Sequence, residues 1–200
     1  MKKLILLTIV LFNFINTTYA FSDTQTHWAM EYIEWGAYEE ILNGYEDNTF
    51  RPDDPITRAE LVKIAMSFYG TPVTSNEALF DDIGTHWALS FINAAAEIGF
   101  VDGDGDGTFD PDRYVTRAEA MKIINRTLVR QPHKDYLLSG MIYWSDNMDT
   151  SAWYYAEVQE ATNSHTYMYT SAHEIWEAIL PVRDWELLEK TWSDANSGKE

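Results

Sequence analysis

Two identical tetrapeptides, Thr57-Arg58-Ala59-Glu60 and Thr116-Arg117-Ala118-Glu119, each place a hydroxyl, a guanidinium and a carboxylate within four residues. A Thr followed three positions later by Glu, ahead of an apolar run, has the pattern of a helix-capping box. The hydroxyl accepts from the third amide of the helix, and the carboxylate accepts from the Thr amide. Thr57, Glu60, Thr116 and Glu119 are thereby accounted for as helix starts. The Arg is not. A cap does not require it, and a cation in the first turn opposes the positive end of the helix dipole. Free first-turn amides, the dipole and a guanidinium together suit an anion, best a carboxylate or phosphate held by two hydrogen bonds. Arg58 and Arg117 are therefore candidate anion ligands. The alternative is an Arg that is solvated or paired with Asp53, Asp54, Asp110 or Asp112.

Other constellations are weaker. Asp102-Gly103-Asp104-Gly105-Asp106-Gly107 resembles the start of a calcium loop, with Asp110 at the ninth position. Arg113 stands where an EF-hand needs a bidentate Glu, so Asp102, Asp104, Asp106 and Asp110 are calcium candidates only in part. His27 and His86 recur at equivalent positions, while His133, His165 and His173 are scattered without metal-ligand spacing. No Gly-x-Ser-x-Gly, phosphate loop or dinucleotide fingerprint occurs, and the expected protein is not an enzyme.

The elements that position these residues form a repeat. A shift of 59 residues pairs Thr26-His27-Trp28-Ala29 with Thr85-His86-Trp87-Ala88, and Thr49-Phe50 with Thr108-Phe109. It also pairs Gly44 with Gly103 and Lys63-Ile64 with Lys122-Ile123, giving about 20 identities in roughly 44 positions. Each copy reads as helix, loop, helix. Trp28, Tyr32, Ile33, Ala37 and Ile41 recur at helical spacing, then Asn43-Gly44 breaks the run. Asp47-Asn48 suggests a tight turn, Phe50 an anchor beneath it, and Thr57 the start of a second helix. A worn third copy begins at Trp144-Ser145-Asp146. It continues through Trp153 and has Ser171-Ala172-His173-Glu174 where the tetrapeptide should stand, with Ile175 and Ile179 on an apolar helix face. Its loop is shorter by about 11 residues. A short amphipathic helix is expected over residues 184–192, followed by a frayed tail.

Lys2 and Lys3, an apolar run from Leu4 to Ile15, and Thr18 and Ala20 before a cleavage point read as a secretory signal over residues 1–20. Its apolar run, about 12 residues, falls short of the roughly 20 that span a bilayer. The net charge of −18 becomes about −20 once the signal is removed. Such a surface repels nucleic acid and anionic lipid, which excludes both as partners. With no cysteine, neither disulfides nor a lipid-bearing Cys are available.

These motifs together resemble S-layer homology (SLH) proteins. The resemblance rests on Phe-Ser-Asp, His-Trp-Ala, the Gly-Tyr-x-Asp-x-Thr-Phe-x-Pro-Asp loop and Ile-Thr-Arg-Ala-Glu, in that order. Copy two departs with Asp81 for Ser, Asp104 for Tyr and Val115 for Ile. The expected organisation is module 1 over 21–70, module 2 over 80–130, a degenerate module 3 over 143–180, and a C-terminal helix and tail over 181–200. The resemblance implies a mainly α, pseudo-threefold domain with a central three-helix bundle and helix-loop-helix prongs, in a monomer that imitates a trimer. It implies a secreted, wall- or S-layer-associated protein that binds an anionic, often pyruvylated, secondary cell wall polysaccharide in grooves between prongs. Arg58 and Arg117 would meet the glycan carboxylate. Thr57, Glu60, Thr116 and Glu119 would shape the groove, as would Trp28 and Trp87, although an aromatic at the start of an apolar helix face is more often core. No cofactor beyond calcium is expected. The competing expectation is a structural envelope component held by protein contacts and calcium, its grooves vestigial.

Overall fold

Both capping boxes form. In the computed structural model, which describes residues 20–70, 77–181 and 185–196, Thr57 and Thr116 cap the helices Arg58–Tyr69 and Arg117–Thr127. In each, the Thr hydroxyl accepts from the Glu amide and the Glu carboxylate accepts from the Thr amide. The fold is mainly helical. In chain order it comprises α1 (Met30–Tyr38), α2 (Arg58–Tyr69), α3 (Leu89–Glu97), α4 (Arg117–Thr127), a 3-10 turn (Lys134–Tyr136), α5 (Tyr155–Thr162), the strands β1 (His165–Tyr169) and β2 (Glu174–Ile179), and α6 (Trp185–Asn196). The expected signal segment, apart from Ala20, lies outside the described residues. Among the described residues no helix is long and apolar enough to cross a membrane.

The main core lies where α2 packs on α3 and on α4. Val62, Ala65 and Met66 of α2 meet Ile92 and Ala95 of α3, Ile123 of α4, and Phe100, Val101 and Phe109 of the second loop. α4 also packs on α5. α6 returns to the first copy, where Trp192 stacks on Tyr32 at 4.6 Å.

Each loop is held by the same three devices. Asp23 accepts from the amides of Phe50 and Arg51 at 2.8 Å each, and Asp82 from those of Phe109 and Asp110. Arg51 and Asp110 both sit at positive φ, a conformation that non-glycine residues adopt at a cost. The bidentate carboxylate offsets that cost, and the Phe50 amide holds the Asp23 carboxyl below its ordinary pKa. The imidazoles of His27 and His86 accept at Nδ1 from the amides of Ala29 and Ala88, which leaves the Nε2 proton to be donated to Asp53 and Asp112 at 3.2 Å. Finally, Gly44 and Gly103 let a Phe ring lie against the backbone. A Cβ at Gly44 would sit 2.2 Å from Phe21 and 2.6 Å from the Thr49 carbonyl, and one at Gly103 2.5 Å from Phe80.

The third stretch departs from the expected fold. Its entry turn repeats the others: Ala152 N donates to Asp149 O and Tyr155 N to Ala152 O, as His27 does to Thr24 and Met30 to His27. After α5, however, residues 165–179 form an antiparallel hairpin rather than a capped helix. Ser171 lies in the turn, where Thr170 Oγ1 accepts from the amides of Ala172 and His173. The reason is periodicity. Glu174 and Trp176 are the buried residues of β2, two apart, and Tyr167 and Tyr169 add β-favouring aromatics opposite them. Reading Ile175 and Ile179 as a helical face followed the wrong pair. The tetrapeptide-type third helix of a central bundle is thus not supplied by residues 171–180.

Gly44→Ala and Gly103→Ala should each destabilise the protein by about 1–3 kcal/mol, since the added methyl meets a packed ring and a carbonyl rather than a movable side-chain end. Thermal unfolding followed by circular dichroism checks this. Gly84→Ala, with open space at its Cβ, serves as the control expected to leave the midpoint unchanged.

Candidate functional site: grooves at the module junctions

The arm Ile56-Thr57-Arg58-Ala59 reaches across to the loop of the second copy. Arg58 N donates to Arg113 O and Ala59 N to Pro111 O, both at 2.9 Å, while Val115 N donates to Ile56 O. The first-turn amides of α2, expected to be free for an anion, are therefore taken by carbonyls of the next module. The Arg58 side chain follows them. Its Nε donates to Phe109 O at 2.9 Å and its Nη2 to Asp102 O at 2.8 Å, and its guanidinium lies 4.3 Å from the Phe109 ring centroid. Glu119 at 3.6 Å and Asp104 at 3.9 Å complete its surroundings. Arg58 is 6% exposed, and burial pulls its guanidinium below the ordinary value against the attraction of Asp104 and Glu119.

Above this buried cation lies a groove of about 380 Å³, lined by Arg58, Val101, Asp102, Asp104, Glu119, Lys122 and Trp153. Lys122 Nζ donates to Asp102 at 2.8 Å and sits 5.5 Å from the Trp153 ring centroid. That hydrogen bond holds the Asp102 carboxyl below its ordinary pKa. A larger groove of about 580 Å³ occupies the equivalent place in the first copy, lined by Leu42, Asn43, Tyr45, Phe50, Glu60, Lys63 and Trp87, among others. Here Lys63 donates to the neutral Asn43 side chain, Tyr45 OH donates to Glu60 at 3.3 Å, and Arg51 lies over the Tyr45 ring at 4.0 Å. Each groove thus combines the loop and second helix of one module with the Trp that opens the next.

The structure places the other sequence candidates as follows. Trp87 is 56% exposed and lines the first groove, while Trp28, 77% exposed, lines neither; both precede their helices rather than packing in the core. Glu60 and Glu119 line the two grooves while serving as caps; Thr57 and Thr116 cap without lining either groove, and Thr57 also bridges to Tyr114. Arg117 is exposed, with no hydrogen-bond or ion-pair partner among the described residues. The four loop aspartates have different partners. Asp102 binds Lys122, Asp106 accepts from the amide and hydroxyl of Thr108, and Asp104 lies 3.9 Å from Arg58 and Arg113. Burial and the neighbouring Asp104 raise the Asp110 pKa. Among the described residues these aspartates do not gather into a metal-binding cluster.

Sequence reasoning missed Lys63, Lys122, Tyr45 and Trp153 as groove residues. The two lysines were visible as repeat-matched positions, and Trp153 as the opening Trp of the worn copy. It also missed the buried cluster of Glu160, His165 and Glu174, which alone among the described residues has ligand atoms close enough to hold a metal. Arg130 already fills that space, at 2.5 Å from Glu160 and 2.6 Å from Glu174.

A chain whose repeated modules meet in grooves belongs to the class of tandem-repeat proteins. The comparison with known families makes this specific: residues 20–62 and 79–121 each match the S-layer homology domain, so the chain carries two such domains. S-layer homology domains in general anchor proteins to the cell envelope, and the proteins that carry them are associated with the cell surface or wall. Cell surface glycoprotein 1 of Acetivibrio thermocellus is 32% identical over 78% of this chain and 7% of its own length. The cellulosome-anchoring protein of the same organism is 32% identical over 76% of the chain and 34% of its own length. S-layer protein EA1 of Bacillus anthracis is 28% identical over 60% of the chain and 14% of its length. The chain thus spans between 7% and 34% of the length of these relatives.

The second groove's rim depends on pH. The Arg113 hydrogen bond, helped by the amide and hydroxyl of Thr116, pulls the Glu119 carboxyl from 4.5 to about 2. A carboxylate depressed on folding contributes stability that is full above the unfolded value of 4.5 and disappears as pH falls through about 2. Arg113→Met should lower the midpoint at neutral pH and flatten its decline between these two values. Midpoints measured across that range would show parallel declines if the pair were unimportant.

Proposed function

We propose that the chain attaches non-covalently to the cell envelope by binding an anionic secondary cell wall polysaccharide in its two module-junction grooves. The observation that carries this reading is the repeated construction of the grooves. Trp87 and Trp153 are exposed at equivalent places, each beside a Lys of the preceding module, at Lys63 and Lys122. An exposed aromatic face next to a cation suits a sugar ring bearing an acidic substituent, such as a pyruvate ketal. In the second groove Arg58 adds a guanidinium at the floor. Arg117 lines neither groove, and the third stretch contributes Trp153 to the second.

The reading is one of binding without catalysis. It is supported by the fate of the groove carboxylates: Glu60 and Glu119 are held by caps and Asp102 by Lys122. The same reading implies a wall-associated location, and residues 1–20, with the pattern of a secretory signal, accord with export. The names of the relatives, a cellulosome-anchoring protein and an S-layer protein, accord with a surface role.

Co-sedimentation with purified wall polysaccharide tests the proposal. Trp87→Ala combined with Trp153→Ala should weaken binding about tenfold or more, with helical content unchanged. Lys63→Ala should weaken binding less, and by an amount that shrinks as salt rises. Undiminished binding by the double Trp variant would overturn the assignment.

A further inference from the structure

Asn43-Gly44 is the one Asn-Gly pair in the sequence. An asparagine before glycine is prone to deamidation, because no side chain hinders the glycine nitrogen from attacking the asparagine Cγ. Three features of the fold favour that reaction here. Both residues are exposed, in the irregular stretch between α1 and α2, so water reaches them and no helix or strand ladder restrains them. Gly44 cannot be exchanged for a bulkier residue, since a Cβ there would meet the Phe21 ring at 2.2 Å and the Thr49 carbonyl at 2.6 Å. Finally, Lys63 of α2 donates to the Oδ1 of Asn43 across the first groove.

The lysine contact matters most. When Gly44 N bonds to Asn43 Cγ, negative charge develops on Oδ1, the atom that faces the Lys63 ammonium. A cation already in place at a developing oxyanion lowers the barrier, because no solvent has to reorganise to stabilise it. An ammonium can only donate, so the oxygen of the amide and not its nitrogen faces Nζ.

The second copy displays the product of such a reaction. At the equivalent place Asp102 stands before Gly103 and accepts from Lys122 Nζ at 2.8 Å. The loop closes there as in the first copy, Asp104 N donating to Thr108 O as Tyr45 N does to Thr49 O. A carboxylate at position 43 is therefore compatible with the fold. It would also relieve Lys63, whose ammonium is pulled below its ordinary pKa by burial and is in no ion pair among the described residues.

We infer that Asn43 is a self-modifying site, at which Lys63 promotes conversion of the neutral amide into a carboxylate that then pairs with Lys63. The Gly44 nitrogen gives up its proton and bonds to Asn43 Cγ. The Cγ–Nδ2 bond breaks, and the nitrogen leaves with that proton as ammonia. Water opens the resulting succinimide at Cγ, giving aspartate, or at the main-chain carbonyl, giving isoaspartate. One water is consumed and one ammonia released, with no oxidant or cofactor. The aspartate reproduces the Asp102–Lys122 pair. The isoaspartate adds a main-chain carbon beside a glycine packed on Phe21 and Thr49, so it is the less accommodated product. Either product adds one negative charge to the first groove and gives Lys63 an internal competitor for a ligand anion. That consequence rests on the polysaccharide reading; the chemistry does not.

Incubating the intact chain at mildly alkaline pH and mapping its peptides by mass spectrometry tests the chemistry without any polysaccharide. Position 43 should convert faster than the exposed Asn48 or the buried Asn147 and Asn163, and faster still as pH rises. Lys63→Met should slow the conversion about tenfold, the factor one charge-assisted hydrogen bond supplies. Lys63→Arg, which keeps a cationic donor, should restore most of the rate, with circular dichroism unchanged in both variants. Conversion no faster than at the other asparagines, or indifferent to Lys63→Met, would overturn the inference. Asn43→Asp mimics the product. It should co-sediment with purified wall polysaccharide about tenfold more weakly than the native chain at low salt, the difference narrowing as salt rises. Binding equal to that of the native chain would overturn the effect on the groove. Failure of the native chain itself to bind would count against the polysaccharide reading alone, and the conversion rates would still decide the chemistry.

Discussion

The fold turns on one buried cation. Arg58 leaves the first turn of α2, where its charge opposes the helix dipole, and enters the loop of the next module. A guanidinium removed from water is tolerated only with its donors satisfied and counter-charges near, and this one has two carbonyls, an aromatic face, Glu119 and Asp104. Those same partners fix the relative placement of α2 and α4, because the first-turn amides of α2 are bonded to the loop that leads into α4. The main core, built from both copies, depends on that placement. So does the second groove, whose floor is the buried guanidinium itself.

The two modules solve each local problem identically because the problems are local. A bidentate Asp steadies a residue at positive φ, a His bridges helix start to loop, and a glycine admits a ring against the backbone. The third stretch keeps the entry turn but loses the loop, so nothing remains for such devices to hold. Its stability comes from a different arrangement. Arg130 joins Glu160, Glu174 and His165 beneath the hairpin, and Trp176 donates to Glu160 while stacking on His165 at 3.8 Å. A short two-stranded hairpin is marginal alone, and this buried ionic cluster with Met141, Tyr155 and Trp176 supplies its missing support.

What could be read in the sequence followed the range of the interactions. The caps of α2 and α4 lie within four residues and were fully legible. So were the 59-residue repeat, the turn at Asp47-Asn48, the pairing of the loop with Phe50 and Phe109, and a short helix near residue 190. The fate of Arg58 was not, because its acceptors at Phe109 and Asp102 belong to another module, 51 and 44 residues away. Trp28, Trp87 and Trp153 stand just before their helices, so periodicity assigned them to a face that the helix axis never presents. The hairpin was misread because its spacing of apolar residues fits a helix as well as a strand. Only the burial of Glu174 against Arg130, invisible in the pattern, separates the two.

The two grooves share a plan but not a charge. Asn43 and Tyr45 of the first become Asp102 and Asp104 in the second, so Lys63 has a neutral partner while Lys122 is bonded to a carboxylate. A ligand anion entering the second groove must compete with Asp102, Asp104 and Glu119 for Arg58 and Lys122, a competition whose cost rises as water is excluded. In the first groove Lys63 is in no ion pair among the described residues, and Glu60 is occupied by the cap and by Tyr45. The first groove is therefore electrostatically the more receptive to an acidic sugar.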